Sequence, residues 1–554
     1  MVKFQEEKSQ RRTNILRKRE EEEVTKLLAQ RYNIPYVDLA VFPVEIDALK
    51  LVSEEISRSG DMAVIRASGK QLDIALHKPD KPETLTILNR LKEDDYNCEL
   101  FLASKSSLEH AWEMYKKVPE AHIINVGAIQ ISSDRIIQMQ QQVNNMAQIK
   151  DLIQQTMKSR ATEALEAIMG GALAVEASDI HIEPQTQDLI RLRFRLDGVL
   201  YDIVEIPRKL FALLLSRIKL VSELKINIHD SAQDGRFTIR TKPEDIEIRT
   251  STLPGPNGEN VVLRILNPKA IDVKFEDLGM QPWVAKALRA EMNRPNGMIL
   301  TTGPTGSGKT TSLYTFLRTI YTPEIKIITL EDPIEYHLQG VEQTQVDHEK
   351  GYDFVNGLRS IVRQDPDVIL VGEIRDHETG EIAMQAALTG HFVFSTLHTN
   401  DAAGTIPRLI DLGVKAASIA PALNVAMAQR LVRKLCPFCR QESNATEEQK
   451  KAIRDELPGF PKTVEIPAES EWKIYTARPQ GCEKCNHTGY KGRMGVYEII
   501  FIDDNMEKLI MTNPSQYEIK KTSALQGQIT MRQDGILKTI AGITDLPEIN
   551  RVVG

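Results

Sequence analysis

Nine residues, GPTGSGKTT (303–311), carry the plainest chemistry in the chain. Gly303, Gly306 and Gly308 permit a tight backbone turn that aims N–H groups at phosphate oxygens, with Pro304, Thr305 and Ser307 between them. Lys309 has the charge and reach for β- and γ-phosphates. The hydroxyl of Thr310 suits Mg²⁺, and Thr311 completes the stretch. An apolar run, MILTT, precedes the loop, and SLYTFLRTI follows with apolar residues at helical spacing. A strand–loop–helix unit of this kind binds a nucleoside triphosphate, and ATP with Mg²⁺ is the expectation.

Hydrolysis needs more than binding: a carboxylate must orient water, and charges must stabilise the transition state. DVILVGEIRD (367–376) supplies an apolar strand ending in Gly372 and Glu373. In many P-loop proteins such a strand ends in an aspartate that helps hold Mg²⁺; here glycine stands there and glutamate follows. A second acidic strand end, ITLEDPIEYH (328–337), contributes Glu331, Asp332 and Glu335. A solvated loop accounts for one such cluster, but two at the P-loop edge of a parallel sheet lie where open α/β sheets bind ligands. In TGHFVFSTLHTND (389–401), His391 and His398 bracket a β-branched and aromatic strand. Two readings stand for this pair: structural histidines, or a strand that senses the γ-phosphate.

CPFC (436–439) and CEKC (482–485) are two Cys-x-x-Cys knuckles. Cys436, Cys439, Cys482 and Cys485 suit a closed tetrahedral Zn²⁺ site of structural type, with redox dithiols or unligated thiols as the alternatives. Cys98, the remaining cysteine, stands alone and is expected in packing.

These groups need elements to position them. A chain of 554 residues is too long for one core, so three or four domains are expected. Residues 1–23 are mixed in charge and read as a solvated helix or arm. Residues 24–120 read as a first α+β domain, and 121–150, rich in Gln, Ser and Asn, as a linker. Residues 151–268 form a second α+β domain. There LIRLRFRLDGVLYDIVEI places Ile190, Leu192, Phe194 and Leu196 on one strand face and Arg191, Arg193 and Arg195 on the other, with Asp197-Gly198 as the turn. The arginine face reads first as a solvated strand surface. Residues 269–435 alternate strands and helices around the phosphate chemistry, 436–490 hold the cysteine knuckles, and 491–554 read mostly as helix.

Composition narrows the function classes. Hydrophobic content of 41% and charge of 27% are ordinary for a globular protein. A net charge of −7 argues against a dedicated nucleic-acid binder. No 18-residue apolar run is present, and the charged N-terminus lacks a signal-type apolar segment. Five cysteines make no disulfide framework, so the expected setting is cytoplasmic.

Taken together, the segments resemble the secretion ATPase superfamily, whose members drive type II secretion and type IV pilus assembly. GPTGSGKTT resembles its Walker A, TLEDPIEY its aspartate box, RQDPDVILVGEIRD its Walker B and TGHFVFSTLHTND its histidine box. Upstream, ASDIHIEP, QDGRFTIR, IEIRTSTLP and GENVVLRIL resemble the second, PAS-like N-terminal domain; residues 24–119 resemble the first. The sequence departs from the family at Ser231-Ala232, where Arg-Pro is frequent.

The resemblance implies an α/β fold: a RecA-like P-loop ATPase domain preceded by α+β N-terminal domains, with a tetracysteine zinc subdomain and a helical C-terminal tail. It implies Glu373 as catalytic glutamate, Glu331, Asp332 and Glu335 as the acidic box, and Arg249 and Arg264 as arginines that approach the phosphates. It also implies a homohexamer, peripherally associated with the inner face of the cytoplasmic membrane. Its force would pass to a platform protein and accessory inner-membrane complex, with no nucleic acid and no transmembrane segment of its own. Assembly and secretion members of the family carry the tetracysteine subdomain and pilus-retraction members lack it; the long spacing between the knuckles is closer to pilus assembly than to type II secretion. The rival readings are a nucleic-acid-translocating motor and a nucleotide-binding scaffold without turnover. Some members have an added N-terminal module for a cyclic dinucleotide; residues 1–30 lack its Leu-Gly-rich pattern.

Overall fold

The computed structural model describes residues 21–117 apart from 33, 40, 43, 50, 51, 53, 69, 70, 94 and 95; residues 128–129, 143 and 145–157; and residues 161–554 apart from 187, 241–244, 459, 461–463 and 465. The expected arm (1–23) and linker (121–150) therefore fall mostly outside the described residues. The chain divides into two compact units, 1–125 and 126–554.

The first unit is built on three strands: β1 (Met62–Ser68), β2 (Gln71–Leu76) and β3 (Asn97–Leu102). β1 and β2 are antiparallel, and β3 adds in parallel to β2. The helix Lys105–Glu113 starts at Ser104, whose side chain accepts from the Ser107 N–H. Its Trp112 indole donates to the Met62 carbonyl (3.0 Å), joining helix to sheet.

The second unit holds two seven-stranded sheets. The first contains β4 (Ala128–Ile129), β5 (Asp179–Pro184), β6 (Ile190–Leu196), β7 (Val199–Ile206), β8 (Gln233–Ile239), β9 (Ile246–Leu253) and β10 (Asn260–Leu266), in the order β4-β8-β9-β10-β5-β6-β7. Every pairing except that of β4 is antiparallel. Along β6 burial alternates residue by residue, with Ile190, Leu192, Phe194 and Leu196 inward. Asp197 (φ 47°) and Gly198 (φ 83°) make the turn to β7, as the Asp-Gly pair predicts.

The other large sheet contains β11 (Gly297–Thr302), β12 (Ile327–Glu331), β13 (Glu342–Gln345), β14 (Val368–Val371), β15 (Phe392–Leu397) and β16 (Leu423–Leu435). Between the cysteine knuckles, β17 (Gln441–Asn444) and β18 (Lys473–Thr476) form a small antiparallel pair. β19 (Tyr490–Phe501) returns to the large sheet, whose order is β13-β12-β14-β15-β11-β16-β19. Six of these strands run parallel, and β19 is antiparallel at the edge. The region expected to be helical from residue 491 thus opens with a 12-residue strand before its helices Asp504–Ile510, Gln516–Leu525, Met531–Ile540 and Leu546–Val553.

All residues of β11, β12, β14 and β15 are buried. Both faces carry a core: Met298, Leu300, Ile369 and Val393 lie on one side, Ile299, Leu370 and Phe394 on the other. This is why the strands read as unbroken apolar runs. These four strands offer no free face, so their polar chemistry stands at the strand ends. Among the described residues no helix is long and apolar enough to cross a membrane.

Candidate nucleotide site and cysteine centre

The loop 303–308 leaves β11 and enters the helix Lys309–Ile320. Gly303, Gly306 and Gly308 have φ of 146°, 77° and 88°, which favour glycine. Packing adds to this at Gly303, where a Cβ would lie 2.6 Å from the Gln429 carbonyl oxygen. The first-turn N–H groups and the positive end of the helix face the strand edge, an arrangement suited to an anion. The Lys309 ammonium donates to the carbonyls of Gly303 (2.7 Å) and Pro304 (3.2 Å). Burial lowers its pKa, and Glu373 pulls it back up.

Lys309, Thr310, Glu331, Asp332, Glu335, Glu373 and His398 line one cavity. They come from the P-loop helix, the end of β12, the end of β14 and the end of β15, four elements gathered at one sheet edge. Glu373 is held at both oxygens: the Arg375 guanidinium lies 2.5 Å from Oε1, and His398 Nε2 lies 3.2 Å from Oε2. Thr399 fixes the segment after β15, its N–H donating to Thr302 Oγ1 at 2.7 Å. Gly372 fits tightly against β12, since a Cβ there would meet the Leu330 carbonyl at 3.2 Å. Glu331 is buried and accepts from Thr329 (2.6 Å), Gln343 (3.1 Å) and the Tyr314 hydroxyl. Burial, and next the Glu331 charge, push the Tyr314 phenol well above its ordinary range.

His391 is not part of this group. It sits just before β15, where its Nδ1 lies 3.0 Å from the Ala386 carbonyl. Seven residues of extended chain separate it from His398, roughly 20 Å. The bracketing pair therefore marks the two opposite edges of the sheet, and only His398 reaches the cavity.

Arg249 and Arg264 lie on β9 and β10, directly opposite one another. Arg249 donates to the Ile334 carbonyl at 2.8 Å, so the antiparallel sheet touches the acidic loop after β12. Arg264 pairs with Asp179 at 3.2 Å. Next to that loop, burial and then Glu335 push the Tyr336 phenol up to about 12, against the opposing charges of Arg249, Arg264 and Arg493. The arginine face of β6 is laced with carboxylates: Arg193 to Glu183 (2.7 Å), Arg195 to Asp179 (3.1 Å) and Arg191 to Asp202 (3.7 Å). Nothing in the sequence around Tyr314, Gln343 or Gln429 marks them for this site, whereas Arg375 stands in DVILVGEIRD two residues after Glu373, a spacing that points to it.

The four knuckle cysteines meet, their sulfurs all within 4.8 Å of one another. The Cys436–Cys482, Cys439–Cys485 and Cys482–Cys485 separations are each 3.8 Å. With metal–sulfur bonds of about 2.3 Å, a tetrahedron has sulfur–sulfur edges of about 3.8 Å. Cys485 accepts from the N–H groups of Cys482 (3.1 Å) and Gly489 (3.3 Å). Burial works to raise its thiol, but these donors bring it down to about 7, toward the ligating thiolate. The donor set fits a closed four-sulfur metal site.

The chain matches the family of Type II/IV secretion system proteins over residues 154–551 and the MshEN domain over residues 32–122. Type II secretion system protein E of Pseudomonas aeruginosa is 43% identical over 409 residues, 74% of this chain and 78% of that protein. Type IV pilus assembly ATPase PilB of Myxococcus xanthus is 35% identical over 533 residues, 96% of this chain and 91% of that protein. In structure, the ATPase DotB of Yersinia pseudotuberculosis superposes with a TM-score of 0.50 at 18% identity, covering 70% of this chain and 93% of DotB, a likeness of fold. With phosphate loop, acidic strand ends and cysteine cluster in one frame, the chain belongs to the type II/IV secretion system ATPase family.

Proposed function

We propose that this chain is the ATP-hydrolysing motor of type IV pilus assembly. It would act as a cytoplasmic homohexamer against the inner face of the membrane, moving an inner-membrane platform protein with its accessory complex. The observation that carries the reading is the single cavity lined by Lys309, Thr310, Glu331, Asp332, Glu335, Glu373 and His398. Lys309 pairs with the β- and γ-phosphates, and the loop N–H groups cradle them. Thr310, with Asp332 and Glu335 nearby, would hold Mg²⁺, which neutralises phosphate charge when bound. Water attacks the γ-phosphorus, the bond to the bridging oxygen of ADP breaks, and the water proton passes to Glu373. His398 and Arg375 orient that carboxylate. Arg249 and Arg264 close over the phosphates from the antiparallel sheet, coupling hydrolysis to its movement.

Cys436, Cys439, Cys482 and Cys485 would hold Zn²⁺, whose contribution is to cross-link the 436–490 segment. Metal analysis should give about one zinc per chain. A metal-free native protein of full stability would refute that assignment.

Pilus assembly is favoured because the similarity to a pilus assembly ATPase extends over 96% of the chain. The higher identity to a secretion relative, over 74% of the chain, favours a second reading, the type II secretion ATPase driving pseudopilus assembly. Electron microscopy of a deletion strain, with secreted enzyme activity assayed in parallel, separates them. Loss of surface pili with normal secretion supports the proposal; normal piliation with lost secretion transfers it to type II secretion. Normal piliation with normal secretion refutes both.

A further inference from the structure

We infer that Gln429 is the positioning residue of the phosphate loop, clamping the loop's entry and exit to strand β16. The inference rests on the nucleotide reading of the cavity. Gln429 is 2% exposed in a strand whose preceding residues, Val425 to Ala428, are apolar and buried. A buried amide costs free energy unless its polar atoms are used. Here its oxygen is used: Oε1 accepts from a hydroxyl of the P-loop helix.

From Ile299 opposite Val425 to Thr302 opposite Ala428, β11 and β16 pair in constant register, which brings Gln429 beside Gly303, where the loop begins. The Gln429 carbonyl lies so close that a Cβ on Gly303 would sit 2.6 Å from it. The Gln429 side chain reaches the other end. A Cβ on Gly308 would sit 2.8 Å from its Nε2, and the Ser312 hydroxyl donates to its Oε1 at 2.8 Å. Ser312 is itself fully buried in the P-loop helix. Between Gly308 and Ser312 stand Lys309 and Thr310, the residues assigned to phosphate and Mg²⁺, so the turn carrying both is packed against Gln429 before them and hydrogen-bonded to it after them.

The clamp has a firm base. β16 pairs with β11 on one side and β19 on the other, Gln429 lying opposite Tyr497. Ordering the loop before nucleotide arrives lowers the cost of binding. The residue thus acts through the loop and touches no reacting atom. Losing the clamp weakens ATP affinity and leaves the chemical step, set by Glu373, largely alone.

The test uses the full chain and three variants: Gln429→Met, which keeps length and loses the amide; Ser312→Ala; and the double variant. Each single variant should raise the KM for ATP about fivefold to tenfold, the size of one buried hydrogen bond, with kcat changed less than about threefold. The double variant should be no worse than the poorer single one, because both remove the same contact. Ser312→Ala keeps the test available if Gln429→Met does not fold. A KM within about twofold of native in the folded variants, or a loss confined to kcat, would overturn the inference. Absence of ATP hydrolysis by the native chain would overturn it together with the proposed function.

Discussion

In the antiparallel sheet of the second unit, β6 buries every second residue; in the parallel strands β11, β12, β14 and β15, every residue is buried. The two sheets have the same number of strands and place their polar chemistry differently. A sheet with one covered face keeps the other for charge. Arg236, Arg249, Arg264, Asp179 and Arg195 form one row across β8, β9, β10, β5 and β6. Like charges placed directly opposite one another on neighbouring strands are unfavourable, and Asp179 offsets this by pairing with both Arg264 and Arg195. A sheet covered on both faces has only its strand ends, and Glu331, Glu373 and His398 are found there. Arg249, reaching the Ile334 carbonyl, joins the two arrangements.

The strand-end site should be the more sensitive. Lys309→Ala removes the charge partner of the phosphates and should weaken ATP binding by about 100-fold in isothermal titration, with the fold intact. Native-like affinity would place the nucleotide elsewhere. If Arg249 approaches the phosphates across the sheet–sheet contact as proposed, Arg249→Ala should lower kcat by about tenfold while the melting profile stays close to native. An unchanged kcat would make the arginine row structural alone. Arg191→Ala should be smallest, within about 0.5 kcal/mol in denaturant unfolding, since its Asp202 partner is 70% exposed and such pairs contribute little. A large loss there would mean that the β6 arginines are used in full.

Much of this was legible in the residues because it is local. GPTGSGKTT declares its own backbone geometry through glycine, the alternation in β6 declares its two faces, and Cys-x-x-Cys declares its pairing. What was not legible depends on contacts far apart in sequence. β19 follows the second knuckle by only a few residues, yet pairs with β16 some 60 positions earlier, and no local pattern names that partner. His391 and His398 look equivalent in sequence; strand length puts them at opposite edges. Gln429 is one amide in an apolar strand, and only the register of β11 against β16 places it beneath the loop.

The central claim is that Glu373, held by Arg375 and His398 beside Lys309, is the base that activates water. Turnover of ATP by the purified native chain and by Glu373→Gln, with nucleotide affinity measured on both, tests it most directly. Unchanged affinity and a kcat at least about 100-fold lower are expected, because the amide keeps the shape of the side chain and cannot take the proton. Hydrolysis by Glu373→Gln at the native rate would contradict it.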